Sequence, residues 1–171
     1  MSSLLERARE TLKIEIAGLE GLIERLGAEF EEAVKLLYAC QGKVILAGMG
    51  KSGLIAQKIA ATLTSTGTPA LFLHAGESTH GDLGIITKQD VVIAFSYSGE
   101  TNEVLQMIGH IQAIGVPLIA MTGKPDSTLA QAATVHLSIA VEKEACPLGL
   151  TPTASSTATL ALGDSLAMCL L

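Results

Sequence analysis

Five short apolar runs, at 44–47, 70–73, 91–95, 118–121 and 135–139, constrain this chain more than any other feature. Most are continuous rather than alternating, as in Val91-Val92-Ile93-Ala94-Phe95. A strand with one wet face alternates, whereas an unbroken run asks for cover on both faces, the condition of a parallel sheet. Stretches with helical spacing separate the runs, at 54–65, at 103–114 and more briefly at 128–132. This rhythm predicts an α/β fold, doubly wound around a five-stranded parallel sheet. Ligands of such sheets bind beyond the carboxyl ends of the strands, so chemistry is expected in the loops after Ala47, Leu73, Phe95, Met121 and Ile139.

Ahead of the sheet, apolar residues recur at helical spacing through 4–26 (Leu5, Leu12, Ile16, Leu19, Ile23, Leu26) and again through 28–39, which predicts two amphipathic helices. With 171 residues, 49% of them hydrophobic, the chain has enough for one ordinary core. Residues 1–171 are therefore expected to form a single domain, with helices over about 4–39 and a sheet region over about 43–171. The apolar stretch 158–171 is too short for a membrane span and carries Asp164, so a buried helix is expected and no membrane partner. A net charge of −6 with no block of lysines or arginines argues against nucleic acid and leaves a small anion as ligand. Cys40, Cys146 and Cys169 are odd in number and widely spaced, which argues against a disulfide framework or zinc ribbon and for a reducing cytoplasm. The charged N-terminus does not have the form of a signal peptide. A mean hydropathy of +0.46 is high for a monomer and points to a homo-oligomer.

Four loops carry chemistry. Gly48-Met49-Gly50-Lys51-Ser52-Gly53 joins a strand to a helix but fails as a Walker A loop, because Ile45 stands where a glycine is required. It also fails as a nicotinamide site, because Leu71-Phe72-Leu73-His74 offers no acid at the second strand end. An anion site with Lys51 and Ser52 at a helix start remains, beside the plainer reading of a tight turn with a solvated lysine. Ser96-Tyr97-Ser98-Gly99-Glu100-Thr101 places three hydroxyls at another helix start, more than one cap needs, and suits a phosphate. Glu103 follows in the first turn, either facing the ligand or complementing the helix dipole. His74 and His80 flank a polar loop, as acid–base or hydrogen-bonding groups. Glu144 lies in a loop after the last strand; Cys146 reads as a buried structural thiol, and Ser155, Ser156 and Thr157 as the cap and start of the final helix.

Together these loops, with His80-Gly81-Asp82-Leu83-Gly84 and Glu144-Ala145-Cys146-Pro147-Leu148-Gly149-Leu150-Thr151-Pro152-Thr153, closely resemble the sugar-isomerase (SIS) domain of bacterial arabinose 5-phosphate isomerases over nearly the whole chain. The resemblance implies a flavodoxin-like SIS fold and a cytoplasmic homotetramer. It implies interconversion of D-ribulose 5-phosphate and D-arabinose 5-phosphate through an enediol, without a cofactor, toward Kdo and lipopolysaccharide. It implies catalytic roles for Lys51, His80, Glu103 and Glu144. Ser52, Gly67, Thr68, His80, Ser96, Ser98 and Thr101 are implied as substrate and phosphate ligands, and His74 as a site of inhibitory zinc. A phosphosugar-binding regulator, or an isomerase of another phosphosugar, remains open. The resemblance also implies a later segment with another catalytic histidine and paired CBS domains; the sequence ends at Leu171, which marks a lone domain or a shortened relative, with turnover lowered roughly 10²- to 10⁴-fold.

Overall fold

The structure, a computed structural model, describes residues 3–171, apart from the side chains of Thr79 and His80. Five strands, β1 (Val44–Gly48), β2 (Ala70–His74), β3 (Val91–Phe95), β4 (Leu118–Thr122) and β5 (Val135–Ser138), pair in parallel in the order β2-β1-β3-β4-β5. The helices are α1 (Leu4–Glu24), α2 (Ala28–Tyr38), α3 (Gly50–Ser65), α4 (Asn102–Ile114), α5 (Thr128–Ala132) and α6 (Ala154–Cys169). Two 3₁₀ turns, Ala75–His80 and Asp82–Ile85, occupy the stretch between β2 and β3.

The unbroken apolar runs follow from the alternation of side chains across a strand. In β1, Val44 and Leu46 enter a core shared with Leu37 of α2, Ile59 and Leu63 of α3 and Leu162 of α6. Ile45 and Ala47 enter a second core with Val104, Met107 and Ile111 of α4. The three central strands, β1, β3 and β4, are buried along their whole length. At the edges the expectation of two-sided burial fails: β2 buries only Leu73, and β5 alternates buried Val135 and Leu137 with half-buried His136 and Ser138. An edge strand has a neighbour on one side only, so its flanks are less covered.

α1 begins with a reciprocal cap in which Ser3 Oγ accepts from the Glu6 N–H and the Glu6 carboxylate accepts from the Ser3 N–H. It then packs beside the start of α6, where a Cβ on Gly18 would meet Val141 Cγ1 at 3.3 Å. At the amino ends of the central strands, buried Asp90 accepts from the Lys43 N–H and from Lys43 Nζ, both at 2.9 Å, and from the Thr87 N–H at 2.8 Å. That clamp ties the start of β1 to the start of β3, in the register that sets Gly48 level with Phe95, while β2 pairs on the other side of β1 with His74 level with Gly48. No helix among the described residues is long and apolar enough to cross a membrane.

α3 starts at Gly50, four residues before the helical spacing predicts, because its glycines permit backbone contact with the sheet. A Cβ on Gly48 would stand 3.2 Å from Gly53 Cα, and one on Gly53 would stand 3.1 Å from the Gly48 carbonyl oxygen. Gly50 itself has φ +58°.

Candidate active site

β1 leads through α3 to β2 on one side, and β3 leads through α4 to β4 on the other. The crevice between the carboxyl ends of β1 and β3 is thus the topological switch point of the sheet, where such folds bind ligands. The amino ends of α3 and α4 flank it.

The Ser96–Thr101 loop is shaped by its own hydroxyls. Buried Ser96 Oγ lies 2.8 Å from Thr101 Oγ1 and 3.5 Å from Ser98 Oγ, and it accepts the Gly99 N–H at 3.1 Å. Ser98 Oγ accepts the Glu100 N–H at 3.1 Å. Glu100 turns outward and its carboxylate accepts the Thr128 N–H at 2.7 Å, so it serves the start of α5. Thr101 precedes α4 without capping it by its side chain, and among the described residues the first-turn amides of Asn102 and Glu103 have no partner. Three converging hydroxyls and two open N–H groups at a helix start form an anion cradle.

Two charged groups on the flanking helix starts are uncommitted. Lys51 is exposed in the first turn of α3, Glu103 is half-buried in the first turn of α4, and among the described residues neither has an ionic or hydrogen-bond partner. Ser52 lines a crevice with Tyr97, Ser155 and Ser156, at the meeting of α3, the β3 loop and α6. His74 is exposed; its Nδ1 accepts the Gly76 N–H at 3.2 Å and its ring meets Phe72 edge-on, with centroids 6.3 Å apart. No group of three or more His, Cys, Asp or Glu suited to a metal gathers among the described residues. The His80 side chain lies outside the described residues. The remaining histidines have structural partners, His110 Nε2 at 3.2 Å from the Leu83 carbonyl and His136 Nε2 at 2.8 Å from Thr122 Oγ1.

Glu144 is held rather than free. Its Oε2 accepts the Thr153 N–H at 2.7 Å, the Thr153 hydroxyl at 2.8 Å and the Ser155 N–H at 3.3 Å, so a carboxylate nine residues upstream caps α6. The helix therefore begins at Ala154 after Thr153, and Ser155, Ser156 and Thr157 fall inside its first turn rather than capping it. Burial would raise the Glu144 pKa, but the hydrogen bonds from Ser155 and Thr153 outweigh it and leave it below the ordinary carboxylate value. Since the folded pKa is the lower, the carboxylate stabilises the fold above its unfolded pKa, and that contribution is lost as pH falls through the folded value. Glu144→Gln is accordingly expected to cost about 1 kcal/mol at neutral pH, with variant and parent converging in acid, as read by urea unfolding at a series of pH values.

Cys146 departs from its sequence reading. It is only partly buried, and the amides of Thr151, Leu150 and Leu148 draw its thiol down to about 7. With Glu144 it borders a cleft of about 540 Å³ whose far wall is Arg7, Glu10 and Thr11 of α1.

Gly67 and Thr68 do not join the cradle in this chain. Gly67, with φ +95°, and Thr68 end α3, donating to the Thr64 and Leu63 carbonyls, and they precede the amino end of β2, a full strand length from the switch point. A glycine just past a helical run is a helix-ending signal, and it could have marked them from the sequence.

A parallel sheet of this order, with hydroxyl-rich and lysine-bearing helix starts at its switch point, defines an α/β domain of flavodoxin-like topology. Residues 37–169 match the SIS domain, and the chain belongs to that family. Arabinose 5-phosphate isomerase KdsD of Escherichia coli K12 is 52% identical over 166 residues, covering 97% of this chain and 51% of KdsD. The Pseudomonas aeruginosa KdsD is 50% identical over 167 residues, with coverages of 98% and 51%. The chain thus spans about half the length of these curated relatives. Among solved structures, an Escherichia coli CFT073 protein in complex with arabinose 5-phosphate matches with a TM-score of 0.95 at 42% identity, covering 99% of this chain and 92% of that one.

Proposed function

We propose that this chain interconverts D-ribulose 5-phosphate and D-arabinose 5-phosphate, as a cytoplasmic homotetramer whose product feeds Kdo and lipopolysaccharide synthesis. The observation that carries the reading is the pair of uncommitted charges, Lys51 and Glu103, on the two helix starts that flank a hydroxyl-lined anion cradle. Identity to the KdsD isomerases and the likeness to a protein solved with arabinose 5-phosphate support the choice of substrate.

The sugar phosphate lies with its phosphate on Ser96, Ser98 and Thr101 and the open amides of α4. A carboxylate takes the C1 proton of the ketose, the C–H electrons form the enediolate C1=C2 bond, and O2 gains a proton. Return of a proton to C2, with loss of the O1 proton, completes the aldose. The exchange is redox-neutral and is general acid–base chemistry. Glu103, uncommitted and half-buried, suits the base. Glu144 has its proton affinity lowered by three hydrogen bonds, which suits a group that fixes the start of α6. The Lys51 ammonium suits the enediolate or the phosphate, and His80 a sugar hydroxyl.

Incubation with ribulose 5-phosphate and ¹³C NMR of the products tests the proposal: a new arabinose 5-phosphate signal is expected. Absence of conversion, by this chain and by one extended past Leu171, refutes it. Ser96→Ala is expected to raise KM about tenfold with kcat little changed, because it removes a phosphate contact present in ground and transition states alike.

A further inference from the structure

We propose that Glu100 is a positioning residue for the phosphate: by anchoring its carboxylate on the first turn of α5, it holds the Ser96–Thr101 loop in its binding shape. This role rests on the phosphosugar reading of the site, and it concerns how the phosphate is held rather than how the proton moves.

The loop divides its residues between two tasks. Ser96, Ser98 and Thr101 carry the hydroxyls, and the residues set among them, Tyr97, Gly99 and Glu100, are each tied to the segment after β4. The Tyr97 carbonyl accepts the Gly123 N–H at 2.9 Å, and the Gly99 carbonyl accepts the Leu129 N–H at 3.1 Å. The Glu100 carboxylate accepts the Thr128 N–H at 2.7 Å. The fit around these bonds is close, since a Cβ on Gly99 would meet the Ser127 side chain and one on Gly123 would stand 2.8 Å from the Tyr97 ring. Of the three bonds, the last is the shortest, the one made by a side chain and the one assisted by charge. The residue that makes it also shapes the hydroxyl face, because the Glu100 N–H donates to Ser98 Oγ at 3.1 Å and Thr101 follows directly. Charge gives the anchor a second effect. A carboxylate left loose beside three phosphate-binding hydroxyls would repel a phosphate dianion, and the Thr128 amide keeps this one turned away.

Calorimetric titration with arabinose 5-phosphate and with inorganic phosphate, beside steady-state kinetics, tests the proposal. Glu100→Ala is expected to weaken binding of both ligands about fivefold. Glu100→Gln, which keeps an acceptor oxygen, is expected to recover most of that affinity. Thr128→Pro removes the donor itself, at the first position of α5, where proline fits, and after Ser127, whose backbone is already extended at φ −71° and ψ 157°. It is expected to weaken binding at least as much as Glu100→Ala, and the double variant Glu100→Ala/Thr128→Pro to bind no more weakly than Thr128→Pro alone. In each variant KM should rise with the dissociation constant while kcat stays within about twofold of the parent, a split that a general loss of structure does not give. Parent-like binding by Glu100→Ala, binding by Glu100→Gln as weak as by Glu100→Ala, or additive losses in the double variant overturn the proposal. A parent that binds the sugar phosphate without converting it defeats the isomerase reading and leaves these affinities to decide the role of Glu100; a parent that binds neither ligand overturns both.

Discussion

Glu103→Gln is expected to lower kcat for ribulose 5-phosphate by roughly 10²- to 10⁴-fold while KM stays close to that of the parent. The amide keeps the size and helix position of the carboxylate but cannot accept the C1 proton. In the proposed mode the phosphate is held by other atoms, the hydroxyls of Ser96, Ser98 and Thr101 and the first-turn amides of α4, and these are untouched by the change. A loss confined to kcat is therefore the signature of a proton carrier. Progress curves by NMR at several substrate concentrations separate the two constants, and a kcat within about threefold of the parent would remove Glu103 from the mechanism. Deuterium uptake from solvent at C1 of the ketose should fall in parallel, since exchange there needs the same proton transfer.

The second large effect is expected at Gly99, where alanine should destabilise the chain by about 3 kcal/mol and weaken phosphate binding with it. Gly99 has φ +69°, which costs an L side chain roughly 1–2 kcal/mol. Its Cβ would also collide with the side chain of Ser127, and relieving such an overlap costs roughly 1–3 kcal/mol more. The displaced backbone carries the N–H that Ser96 Oγ accepts and the carbonyl that accepts the Leu129 N–H, so the cradle shifts along with the fold. Gly115→Ala is the matched control, because φ there is +78° but no atom lies within 4 Å of the new Cβ. Urea unfolding should show Gly115→Ala losing about 1 kcal/mol, against the larger loss at Gly99. Equal losses would show that Ser127 yields freely, and the packing part of the expectation would fail.

The central strands were legible from the sequence because burial on both faces leaves a local mark, an unbroken apolar run such as Val91 to Phe95. The hydroxyl-lined turn before α4 was legible for a similar reason, since its three hydroxyls lie within six residues and act on one another. A helix start at Lys51 and Ser52 was legible, but apolar spacing marked α3 only from Leu54, because Gly50 and Gly53 carry no side chain to show a helical face, while the lack of Cβ at Gly53 is what allows the helix to press on β1. The tie between Glu144 and Thr153 was hidden by a nine-residue excursion of the chain, across which spacing gives no hint of contact. The thiol of Cys146 was misread because the amides that draw down its pKa belong to the turn after it, a matter of conformation rather than composition. Gly67 and Thr68 were assigned by likeness alone, and their place at the end of α3 separates them from the loops that share the switch point.

The contact between Gly48 and Gly53 has a consequence for how such a domain can diverge. At this contact no side chain stands between β1 and the first turn of the helix that bears Lys51, so the reach of the ammonium is set by backbone against backbone. Buried residues farther along α3, such as Ile59 and Leu63, can be exchanged over generations for others of similar volume without altering that reach. Sequence drift in the interior and conservation of chemistry at the rim then become separable, and the two glycines are the hinge of that separation.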